Sequence, residues 1–127
     1  MNDTYLMIID DDPDDLFIFC EAMRIFATKV NCIDFIHAEE ALSFLEIKTN
    51  IIPNWIFIDI NMPKINGMDC LKKIKKLDHL KQVPVIMYST SSAKADISES
   101  KALGADGYIV KPDSYQKIYE EVSKWVH

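Results

Sequence analysis

The sequence predicts an α/β fold, a doubly wound five-stranded parallel sheet with five helices on its two faces. Two patterns predict it. Short unbroken apolar runs alternate along the chain with stretches whose apolar residues recur at helical spacing. Unbroken runs suit strands buried on both faces, as in parallel sheets, whereas half-exposed strands alternate apolar and polar residues. The length of 127 residues adds a third observation. It makes one domain, large enough to bury a core without disulfides or a structural metal.

The elements follow in order. Tyr5–Ile9 reads as the first strand, ended by Asp10-Asp11-Asp12-Pro13. Asp12 suits a helix N-cap and Pro13 the first helical position, with Asp14 and Asp15 as first-turn partners of the helix dipole. Leu16, Cys20, Met23 and Ala27, filled out by Phe19 and Phe26, make the first helical stripe. Val30–Ile36 is a less uniform second strand, and Ala38, Ala41, Leu42 and Leu45 mark the second helix. Trp55–Ile58 forms the third strand and leads into Asp59. The segment from Asn61 to Gly67 is turn chemistry, with Gly67 at a left-handed or helix-start position. Leu71, Ile74 and Leu77 give the third helix, with Lys72, Lys73, Lys75 and Lys76 on its solvated face. Val85–Tyr88 is the fourth strand, followed by Ser89 and then Thr90, Ser91 and Ser92 as loop and cap residues. From Ala93 to Leu103 runs a weak helix with Ile97 as its one large interior apolar residue, stopped by Gly104. Tyr108–Val110 is the fifth strand, followed by Lys111-Pro112. Ile118, Val122 and Trp125 make the last helix.

Composition removes several classes of function. Hydrophobic residues are 49% of the chain, far from a disordered composition. A net charge of −6 lacks the basic face that nucleic-acid binding requires. No apolar run approaches the roughly 18 residues of a membrane span, and no signal peptide is read. Cys20, Cys32 and Cys70 have no paired spacing and read as reduced thiols, each a small buried hydrophobe, in a cytoplasmic protein. His37 and His79 have no ligand partners at metal spacing and receive no role.

Charge is uneven. Residues 1–15 hold six aspartates and no basic residue. In parallel α/β sheets ligands bind beyond the carboxyl ends of the strands. Asp10 and Asp11, Asp59, Ser89 and Lys111 all fall at such ends. Two carboxylates 4–5 Å apart repel by roughly 3–4 kcal/mol at an effective dielectric near 20. A cation or a bound proton has to compensate. Mg²⁺ takes oxygen ligands, uses one or two carboxylates and keeps waters for phosphate. Asp11, Asp59 and a backbone carbonyl near Asn61 have that composition, with Asp10 close by through water. An aspartate is also a competent nucleophile toward phosphorus. Phosphoryl transfer needs positioning and charge neutralisation above all, which Lys111 and the Ser89 hydroxyl supply.

The segments Ile8–Pro13, Phe57–Pro63 with Gly67, Val83–Ser89 and Gly104–Pro112 resemble a response-regulator receiver domain, in order and over essentially the whole chain. The resemblance implies strand order 2-1-3-4-5 and one stand-alone receiver over residues 1–127. It implies Asp59 as phosphoacceptor, and Asp10, Asp11, Asp59 and the main-chain carbonyl of Asn61 as ligands of Mg²⁺ (or Mn²⁺). Ser89 and Lys111 would bind the phosphoryl group, with Ser89 and Tyr108 as the switch pair. A cis bond before Pro112 is a family-based expectation. Ser89 stands where the family has Thr or Ser, and Asp113 where it often has Phe.

The function expected is phosphorelay signalling. A histidine kinase or histidine phosphotransfer protein would donate to Asp59. The surface of the fourth helix, fifth strand and fifth helix would then control an unknown downstream protein, and a homodimer through that surface is possible. No direct nucleic-acid or membrane partner is expected. Two other readings stand beside this one. A haloacid-dehalogenase-like phosphatase also uses a strand-end aspartate, but it places an acid where this chain has Asn61, so no enzyme is expected. A phosphorylation-independent interaction module would keep the fold without needing the site.

Overall fold

Local chemistry starts the first helix of the computed structural model, which describes residues 3–126. Asp12 caps it by accepting from the Asp14 N–H at 2.9 Å, and Pro13 takes the first turn. The elements are β1 (Thr4–Ile9), α1 (Pro13–Phe26), β2 (Val30–Phe35), α2 (Ala38–Glu46), β3 (Trp55–Ile58), α3 (Gly67–Lys75), a 3-10 turn (Asp78–Leu80), β4 (Val85–Ser89), α4 (Lys94–Ala102), β5 (Gly107–Val110) and α5 (Tyr115–Val122). All five strands are parallel, in the order β2-β1-β3-β4-β5.

The sheet divides the core in two. Met7, Ile9, Ile56, Ile58, Val85 and Met87 face α2 and α3. Leu6, Ile8, Phe57, Ile86, Tyr88 and Ile109 face α1 and α5. Alternate side chains of one strand therefore enter opposite cores, which is why these strands read as unbroken apolar runs. β2 lies at the sheet edge and is only partly buried, which accounts for its mixed sequence.

Several expectations need correction. Phe26 is exposed and stacks on Tyr119, with ring centroids 5.4 Å apart, while Ala22 takes the buried place in α1. Ile97, the large apolar residue within α4, is 37% exposed, and Ser100 is the buried residue of that helix. The left-handed residue of the β3–α3 loop is Lys64, at φ 64°, and Gly67 is a helix start. No peptide bond among the described residues is cis, so the bond before Pro112 is trans, the state ordinarily favoured for X–Pro. Gly104, at φ 103°, stops α4 as expected. His79 bonds the Leu45 carbonyl at 2.6 Å and so tethers the 3-10 turn to α2.

Candidate functional site

Strand order decides which polar residues meet. β1 and β3 are neighbours, so Asp10 and Asp59, each one residue past its strand, lie side by side. Main-chain bonds fix both. Asp59 N–H donates to Ile9 O at 2.9 Å, and Asp10 N–H to Phe35 O at 3.1 Å. On the other side of the site Lys111 N–H donates to Ser89 O at 2.8 Å. The Asp59 backbone is also pressed by α3. A Cβ on Gly67 would lie 2.1 Å from the Asp59 carbonyl oxygen, so only glycine allows the approach. The Gly67 N–H donates to Ile60 O at 2.8 Å, closing the loop.

Asp10, Asp59 and Ser89 are buried and Asp11 sits at the rim. Carboxylate oxygens of Asp10, Asp11 and Asp59 lie within 4.8 Å of one another. Lys111 Nζ reaches into this group, 2.8 Å from Asp10 Oδ2 and 3.6 Å from Asp59 Oδ1. It is also 2.7 Å from Asp15 Oδ2 and 5.7 Å from the centre of the Tyr88 ring.

The electrostatics follow from burial. Asp59 is pushed up to about 7 by desolvation and the neighbouring Asp10 charge, against the pull of Lys111. Asp10 is likewise raised by burial, opposed by Lys111. Burial works against the Lys111 charge, but the close carboxylates of Asp10 and Asp15 hold its proton more tightly than usual. One ammonium faces four carboxylates, so positive charge is short. Asp10 Oδ2, buried beside Lys111, has no properly angled hydrogen bond. A deficit of charge with an all-oxygen donor set fits a hard divalent cation. Asn61, two residues beyond Asp59, is exposed and lines a polar cleft with Asn66, Asp69, Asp96 and Glu99.

Beyond Ser89 the site continues into a chain of hydrogen bonds. Ser91 N–H donates to Ser89 Oγ at 3.1 Å. The hydroxyl of Ser91 donates to Asp96 on α4, and its carbonyl accepts from Tyr108 OH at 2.7 Å. Tyr108 is half-buried, with its ring packed on the α2–α3 core. Sequence reasoning missed two of these residues. The sequence pattern gives Asp15 to the helix dipole, yet it is a Lys111 partner, 96 residues away in the chain. Its place in the first turn of a helix that starts at the acidic strand end is the available signal. Ser91 reads as a loop or cap residue, and no local pattern distinguishes it from Thr90 or Ser92.

These features define a class. The chain matches the response regulator receiver domain over residues 6–123, and it belongs to that family. It is similar to the two-component response regulator ORR7 of Oryza sativa subsp. japonica, 32% identical over 108 residues, 85% of this chain and 50% of that protein. The chain therefore spans half the length of that relative. It is also similar to chemotaxis protein CheY-3 of Vibrio cholerae, 30% identical over 122 residues, 94% of this chain and 88% of that one. Among solved structures, the phosphorylated cyanobacterial phytochrome response regulator RcpA superposes with TM-score 0.84 at 26% identity, covering 97% of this chain and 91% of that one. The Mn²⁺-bound form of response regulator Rcp1 superposes with TM-score 0.81 at 25% identity, covering 95% and 90%. Family membership implies phosphorelay signalling. Asp10, Asp11 and Asp59 form the acidic cluster at which receiver domains bind a divalent metal. No helix among the described residues is long and apolar enough to cross a membrane.

Proposed function

We propose that Asp59 accepts a phosphoryl group from the phosphohistidine of a histidine kinase or a histidine phosphotransfer protein, and holds it as a signal. The observation that carries this reading is the strand-end group itself, a buried aspartate between an acidic pair and a lysine. An Asp59 carboxylate oxygen forms the new O–P bond as the N–P bond breaks, and the electron pair leaves with the imidazole. Asp10, Asp11, Asp59 and the Asn61 main-chain carbonyl would hold Mg²⁺ (or Mn²⁺), with Asp10 acting through water. When bound, the ion supplies positive charge to the phosphoryl oxygens. Lys111 neutralises the other side, sharing its ammonium between the phosphoryl group and Asp15. The Ser89 hydroxyl donates to a third oxygen.

Ser89 is also the start of the output. Turning its hydroxyl toward phosphate removes the acceptor of the Ser91 N–H. Ser91 in turn holds both Tyr108 and Asp96, so the α4–β5–α5 surface changes with it. That surface would control a downstream protein, in the cytoplasm, and would also serve a homodimer. The chain acts here as a carrier of phosphate rather than a turnover enzyme, since Asn61 stands where a phosphatase of similar design places a second acid. Acetyl phosphate with Mg²⁺ should label the wild type and leave Asp59→Asn unlabelled. Equal labelling of both proteins would overturn the assignment.

A further inference from the structure

Only Cys70 meets the expectation of a buried, isolated thiol. Cys20 on α1 and Cys32 on β2 are half-buried, and their sulfurs lie 2.7 Å apart. That is closer than two non-bonded sulfurs ordinarily approach and within about 1 Å of the ~2.05 Å bonding distance of a disulfide. Cys20 projects from the face of α1 that covers β2, between Leu16 and Met23, and Cys32 pairs in register with Leu6 of β1. Both cysteines line an open groove with Pro13, Phe17, Ile36 and Glu40. The neighbouring Cys20 sulfur and burial raise the Cys32 thiol well above its ordinary value.

We propose that Cys20 and Cys32 form a reversible disulfide, making the α1–β2 groove a redox modification site whose oxidant is hydrogen peroxide. One of the two sulfurs, as its thiolate, attacks one peroxide oxygen. An S–O bond forms, the O–O bond breaks, and the departing hydroxide takes up a proton as water. The other sulfur then attacks the sulfenic acid. The S–S bond forms, the S–O bond breaks, and hydroxide leaves with the proton of the second thiol as a second water. Two thiols are oxidised and one peroxide is reduced. A dithiol reverses the bridge by exchange. The bridge fastens two elements that both run to the acidic site. α1 carries Asp15 to Lys111, and the Phe35 carbonyl just beyond Cys32 on β2 accepts from Asp10.

Cys70 is the internal control. It lies apart in the other core, fully buried, with its thiol pushed up to about 12 by burial. The full chain, folded and treated with hydrogen peroxide, is then unfolded and alkylated. The expected result is one alkylated thiol, a mass before alkylation lower by two hydrogens than that of the reduced chain, and a peptide map joining Cys20 to Cys32. Dithiol should restore three alkylatable thiols. The same treatment of chain already unfolded in guanidinium should give mixed pairings that include Cys70. Cys20→Ser and, separately, Cys32→Ala should each abolish the bridge. Three free thiols after peroxide, bridges between chains, or a native bridge to Cys70 would overturn the proposal.

Discussion

The carboxyl end of the sheet and the fourth helix meet at the β4–α4 loop, yet they are held in opposite ways. At the sheet end the backbone of every strand is pinned to its neighbour, and a largely buried lysine lies beside the buried Asp10 and Asp59. α4 buries one residue, Ser100, whose hydroxyl is satisfied by the Ile97 carbonyl within the same helix. Its N-cap, Ala93, offers no side chain to the first turn, and Ser91 reaches across instead. A cluster that must place charge to a fraction of an ångström needs many constraints. An element that must move needs few, because local opening costs least where apolar burial is least.

The strongest test removes the cation from the constrained region. Lys111→Met leaves Asp10 and Asp59 buried with no positive partner. It should cost roughly 3–5 kcal/mol above pH 7, as expected when one member of a buried ionic group is deleted. Urea denaturation without divalent ions measures this, and the loss should shrink at low pH as the carboxylates take up protons. A loss near zero above pH 7 would mean that charge does not hold this end of the sheet together.

The next effect is smaller and concerns pH. Asp59 has its folded value raised from 3.8 to about 7. The folded state therefore binds a proton that the unfolded state has released. Stability from this group is full below the unfolded value and is lost as pH rises through about 7. In the absence of divalent ions the decline should be about 1–2 kcal/mol, a discounted share of the linkage for a single carboxyl. Asp59→Asn should flatten it and be the more stable protein above pH 7. If both proteins keep the same slope, the titrating group lies elsewhere.

The smallest effect lies on the lightly held side. Tyr108→Phe deletes the hydroxyl bonded to the Ser91 carbonyl. A single such bond contributes about 1 kcal/mol. Amide exchange in the β4–α4 loop and the first turn of α4 should quicken, while exchange in β1 and β3 stays as it was. Equal acceleration in the central strands would erase the contrast between the two regions.

How far each region could be read from the sequence follows the same division. β1, β3 and β4 were legible because parallel central strands put both faces in a core and so leave an unbroken apolar run. α2 was legible through Ala38, Ala41, Leu42 and Leu45, all buried. α4 was legible only at its ends. Its residues are mostly exposed, so little packing pattern marks them, and even its large apolar residue Ile97 faces outward. In the site, Asp10, Asp11, Asp59, Ser89 and Lys111 were legible because each lies at the carboxyl end of a strand or within two residues of it. Position in the strand alone fixes where such a residue stands.

By itself, the sequence determined where strands end, which helices have an apolar face, and that acids crowd one end of the sheet. Those properties are local, set by side-chain periodicity and by the charge of neighbours in the chain. Tertiary structure decided which helical acid reaches Lys111, which of three serines ties Tyr108 to α4, and which two of three cysteines touch. Each of these depends on the direction of a side chain across a gap between elements far apart in sequence. Strand order and helix packing set that direction, and a periodic pattern carries no record of it.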